Sequence, residues 1–181
     1  MPTALHEPRA AARFPRRALA AFVDVALVAA ASLALHLGLV RSLASSEAAP
    51  SSAIEWYLHL AAAVSLPLWL YHAASDASTR HATLGKRWLG LKVVHIYGGD
   101  VEWTRALVRT AFKLVPWELA HVALCFPEPV FGGHPLPMPR LLFASYVLLG
   151  LDLALTLMTL KKQSFHDLAT GTYVVRETGE R

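Results

Sequence analysis

The chain has 181 residues, 55% of them hydrophobic and 17% charged, with a mean hydropathy of +0.40. That is the length of one domain with too few polar side chains for an ordinary water-soluble fold, so an integral membrane protein is expected. The formal net charge of +4 does not indicate nucleic acid as a partner, because the basic residues gather beside apolar runs and read as topology signals.

Residues 1–17 hold Arg9, Arg13, Arg16 and Arg17 among prolines and form a basic cytoplasmic arm. The apolar run after it is too long for a signal-peptide h-region of about 7–15 residues, so it is expected to stay as a membrane span over residues 18–40. A Ser- and Ala-rich loop at 41–53 leads to a second span at 54–71, flanked by Trp56, Tyr57, Trp69 and Tyr71 as an interfacial aromatic belt. Residues 72–103 are polar enough to leave the bilayer. Within them LKVVHIY has strand character, YGGD is a turn, and VEW is placed beside the first strand; TYVV near residue 174 is a further strand candidate. A helix comes next at 104–126, then a proline-rich loop at 127–139 and a last span at 141–160.

Lys and Arg flanking the spans place residues 1–17, 72–103 and 161–162 on one side, which requires the 104–126 helix to cross. The expected fold is therefore all-α integral membrane with four transmembrane helices and a small cytoplasmic β hairpin or sheet. The alternative keeps three spans and lays the 104–126 helix on the interface. Residues 18–175 form one membrane domain and 176–181 a tail.

Charges inside such spans are costly and mark candidate sites. Asp24 lies in the first span, two helical turns or about 10 Å along the axis from Arg17. Asp152 shares a stripe with Ser145, Thr156 and Thr159; Glu118 and His121 are an i, i+3 pair, and Glu55 and His59 an i, i+4 pair. Two readings stay open. In one, the carboxylates exchange protons or cations through a polar interior; in the other, they pair with basic side chains and fix helix packing. Lys86, Arg87, Arg105, Arg109 and Lys113 are expected to contact anionic lipid headgroups or a protein partner. His166 sits next to Asp167, an adjacency that orients the two poorly for a Ser-His-Asp arrangement. With no HExxH, no P-loop frame and a single cysteine, Cys125, neither a metal nor a cofactor is expected, and no enzyme activity.

RALAAFVD, TLGKRWLGLKVV with its following GG, and KKQSFHDLATGTYVV are similar in order and spacing to the RDD family of small, mainly bacterial membrane proteins. The resemblance brackets nearly the whole chain. It implies that the family's arginine falls on Arg17, its first aspartate on Asp24 and its second on Asp167, not on Asp152. PWELAH at 116–121 resembles one subgroup and adds weight to Glu118 and His121. The implied function is transport, with cation/proton antiport as the suggested activity, in a multi-pass protein of the bacterial cytoplasmic (inner) membrane with both termini cytoplasmic. A homo-oligomer is expected with the transport reading, and a non-catalytic module binding lipid or protein through its basic face is the alternative.

Overall fold

A computed structural model describes residues 10–44, 50–130, 133 and 135–177. Residues 1–9 of the basic arm, 45–49 of the Ser- and Ala-rich loop, Phe131, Gly132 and His134 of the proline-rich loop, and 178–181 of the tail lie outside the described residues.

Helix α1, Phe14–Ala44, starts with Pro15 in its first turn, where a missing N–H costs nothing, and runs through Ala, Leu and Val without a breaker until Gly38. Helix α2, Ala53–Leu60, opens with a capping box: Ser52 Oγ accepts the Glu55 N–H, and the Glu55 carboxylate accepts the Ser52 N–H at 3.2 Å and the Ser51 N–H at 2.7 Å. The expected Glu55–His59 pairing is thus replaced, since Glu55 is spent on its own helix start. One π-helical turn, Ala61–Ser65, joins α2 to α3, Leu66–Ala77. Pro67 supplies no N–H to the ladder, and the turn ahead of it widens so that the Leu66 N–H reaches the Ala61 carbonyl. The second apolar helix continues past Tyr71, its expected end, and carries His72 and Asp76 with it.

Helix α4, Leu84–Trp88, precedes strand β1, Leu91–His95; α5 spans Trp103–Cys125, α6 Pro139–Met158 and α7 Phe165–Thr170, and Gly171 in the left-handed region turns the chain into β2, Thr172–Arg176. The two strands pair antiparallel, with Leu91 opposite Arg176 and His95 opposite Thr172. VEW does not join them, because Gly98 and Gly99 both take positive φ and redirect the chain, Val101 is buried, and Trp103 already begins α5. Ala11 instead bridges to Val175.

The chain is mostly helical and divides into two compact units. The first comprises residues 1–24, 71–113 and 151–181; its apolar core includes Leu91, Val93, Val101, Ala106 and Val174 around the sheet. The second comprises residues 25–70 and 114–150. Among the described residues three helices are long and apolar enough to cross a membrane: Phe14–Gly38, Ala53–Ala77 and Pro139–Met158. Helix α5 is long enough but interrupted by Arg105, Arg109, Lys113 and Glu118.

Candidate functional site

In the first unit the charges form an alternating chain. Arg109 on α5 is 1% exposed and lies between Asp76 of α3 and Asp167 of α7, both fully buried. Its Nε and Nη2 donate to Asp167 Oδ1 at 3.1 and 2.7 Å, and its Nη1 donates to Asp76 Oδ2. Lys86 Nζ adds a bond to Asp76 Oδ1 at 2.9 Å. Arg17 Nη2 closes the other end on Asp167 Oδ2 at 2.7 Å, while its Nη1 donates to the Lys162 carbonyl. Burial alone would raise the Asp167 carboxyl, but the Arg109 guanidinium, with His166 and Arg17, holds it well below the usual carboxylate range. Burial pulls the Lys86 ammonium below the ordinary lysine value against the opposing pull of Asp76.

These positions replace the expected outward role of two basic residues. Lys86 and Arg109 are buried among carboxylates and do not face headgroups. The other three are engaged as well: Arg87 donates to the Ala82 carbonyl and Ser78, Arg105 to the Thr170 carbonyl, and Lys113 Nζ lies 3.0 Å from His72 Nδ1. Asp76 is hidden from sequence reading because it falls where hydropathy ends the second span. Its only signal is that the apolar pattern of Leu70, Ala73 and Ala77 continues through it.

Asp24 is not a member of this chain, although the family resemblance groups it with Arg17 and Asp167. The two helical turns that separate it from Arg17 carry it to a different set of partners. Tyr71 Oη and the Gly85 N–H donate to its Oδ1 at 2.5 and 2.8 Å, and Thr83 Oγ1 donates to Oδ2 at 2.5 Å. The Leu84 N–H donates to Tyr71 Oη at 3.0 Å and fixes the phenol. The TLG of the middle motif is therefore the cradle of the first motif's aspartate. Gly85 is obligatory there, since a Cβ would overlap the Ala20 carbonyl oxygen and lie 3.0 Å from Asp24 Oδ1.

Asp152 accepts the Phe165 N–H at 2.9 Å at the start of α7, and its Oδ1 stands 3.2 Å from His166 Nδ1, off the line of a hydrogen bond. His166 Nε2 lies 2.9 Å from Ser164 Oγ, so carboxylate, imidazole and hydroxyl do follow one another. Ser164 is 1% exposed and its hydroxyl donates to Asp167 Oδ2 at 2.9 Å. Burial lowers the His166 imidazole pKa, with Asp152 and Asp167 opposing. The unfolded chain then binds this proton more readily, so stability should fall as pH drops below about 6.5, and Asp167 adds a second loss below about pH 4. Thermal unfolding in detergent across that range should show the decline, with the first leg flattened in His166→Gln; an unchanged first leg in that variant assigns it elsewhere.

In the second unit Glu118 and His121 of α5 meet Ser65 of the π turn. Ser65 Oγ donates to Glu118 Oε2 at 3.2 Å and lies 3.0 Å from His121 Nδ1, and Trp69 Nε1 donates to Glu118 Oε1 at 3.4 Å. His36 Nδ1 and His59 Nε2 are 2.8 Å apart, a pair with no sequence signal because it joins two different helices. Cys125 is buried. Among the described residues no group of three or more His, Cys, Asp and Glu is placed to hold a metal ion.

The RDD family model matches residues 11–171. No curated protein and no solved structure matches the chain.

Proposed function

The chain belongs to the RDD family, and from that premise we propose that it is an integral membrane protein that exchanges a cation or a proton at Asp24. The apolar helices turn Phe22, Leu33, Leu70 and Phe143 outward at 58–70% exposure, a surface suited to hydrocarbon and costly in water. Four crossings, with α5 as the third and both termini on the cytoplasmic face of a bacterial inner membrane, satisfy the distribution of flanking Lys and Arg.

Asp24 carries the reading. Three carboxylates are buried among the described residues, Asp24, Asp76 and Asp167. Asp76 and Asp167 are clasped by guanidinium and ammonium groups, whereas the hydrogen bonds to Asp24 come from neutral donors. A hydroxyl has lone pairs as well as a proton. Tyr71 and Thr83 hold the carboxylate by donating, and by turning they offer oxygens to a hard cation beside it. The clasp on Arg109 is the rigid frame for that exchange.

Purified protein in liposomes loaded with a pH-sensitive dye should acidify or alkalinise when a monovalent cation is added outside, and Asp24→Asn should abolish the change while keeping its thermal unfolding temperature. Absence of any cation-driven change in the wild type, or an undiminished one in the variant, overturns the proposal. A second reading, a non-catalytic module resting on anionic lipid or a protein partner, is favoured by Trp88 and Tyr97, which stand 70% and 85% exposed. Co-purification of a stoichiometric partner without flux would support it.

A further inference from the structure

We propose that Ser65 relays a proton between His121 and Glu118 in the second unit. The inference rests on the transport reading for its purpose and names the proton as one of the species moved. His121 Nδ1 and Glu118 Oε2 are 3.8 Å apart, too far for a direct hydrogen bond. The Ser65 hydroxyl spans the gap, 3.0 Å from the imidazole nitrogen and 3.2 Å from the carboxylate oxygen. It has one hydrogen, which goes to Glu118, so the imidazole nitrogen is the donor on its other side. The order is Nδ1–H, Oγ–H, Oε2, a continuous donor-to-acceptor path.

Two further features support it. Ser65 is 6% exposed and belongs to the π-helical turn Ala61–Ser65. The residue inserted by such a turn rotates the next helical segment by about 100° relative to an unbroken α-helix, and such turns recur at functional sites. Trp69 holds Oε1 of Glu118 and leaves Oε2 for the hydroxyl. The other described histidines and acidic or basic side chains of this unit are the His36–His59 pair, Glu55 in the Ser52 cap, Glu128 and Arg140.

The step balances. With His121 as imidazolium, its Nδ1–H bond breaks as Ser65 Oγ takes that proton, the original Oγ–H bond breaks, and its proton bonds to Glu118 Oε2. Imidazolium and carboxylate become neutral imidazole and carboxylic acid. A proton that hydronium gives to His121, leaving water, thus reaches Glu118 Oε2 and passes from there to another water molecule, which becomes hydronium.

In vesicles with an internal pH dye and an imposed pH step, Ser65→Ala should slow proton entry by about tenfold or more, the scale of one lost hydrogen bond in the path. Ser65→Thr should restore it and Glu118→Gln should stop it. Wild-type speed in Ser65→Ala overturns the relay while leaving transport intact. If the wild type shows no proton entry even with a monovalent cation inside the vesicles to exchange for it, transport fails as a reading, and infrared difference spectra of the vesicle-embedded protein between high and low pH decide the relay. A carboxylic C=O band absent in Glu118→Gln and shifted in Ser65→Ala supports it; a band unmoved in Ser65→Ala overturns it.

Discussion

Arg109→Met is expected to lower the stability of the folded protein by about 3–5 kcal/mol, the range for removing one partner from a buried ion pair. The guanidinium touches two carboxylates that are themselves fully buried. Without it Asp76 keeps Lys86 and Asp167 keeps Arg17, so each carboxylate retains one cation but loses the group that ties the two together. Arg17→Met should cost less, because Arg17 is 12% exposed and Asp167 retains its bonds to Arg109. Arg109→Lys restores the charge but not the fork, and an ammonium on a single stem cannot reproduce bonds from three nitrogens to two acceptors. Thermal unfolding in detergent should therefore rank wild type above Arg17→Met and Arg109→Lys, with Arg109→Met lowest. Equal unfolding temperatures for Arg109→Met and wild type would remove the clasp from the account of the fold.

Gly85→Ala should destabilise the fold through a single added methyl. The new Cβ meets backbone, the Ala20 carbonyl oxygen, which cannot rotate aside, so α4 must shift away from α1. Overpacking of this kind costs about 1–3 kcal/mol. The shift also draws the residue-85 N–H from Asp24, so flux should fall together with stability. Gly150→Ala is the matched comparison: nothing lies within 4 Å of its Cβ position, and it sits inside α6. Replacing a helical glycine there should be neutral or stabilising by up to about 1 kcal/mol. If both variants unfold alike, close approach at Gly85 is not what the middle motif protects.

Much of this arrangement is legible from charge placed in apolar surroundings. Asp24, Glu118 and His121 stand out against their neighbours, whereas Asp167 follows only from the family resemblance, and the apolar runs locate α1, the start of α2 and α6 within a few residues. Direction is harder to read. Arg105, Arg109 and Lys113 recur every fourth residue and so share a face of α5, but spacing does not say whether that face meets lipid or protein. Arg109 shows that it turns inward. Partners are harder still when they carry no charge. Ser65, Tyr71 and Thr83 are ordinary residues in sequence, and each becomes specific only because a helix elsewhere delivers a carboxylate to it. Asp76 escapes for a different reason, because hydropathy ends its span more than one helical turn before the helix itself stops.

The clasp also has a chronology. Asp76 and Lys86 are ten residues apart, so their charges can cancel almost as soon as both have left the ribosome. Arg109 follows to find one carboxylate waiting, and Asp167 arrives 58 residues after it and 150 after Arg17. During that interval two guanidinium groups are present without their shared acceptor. The clasp therefore closes only when its final carboxylate, and the β2 strand just behind it, are delivered.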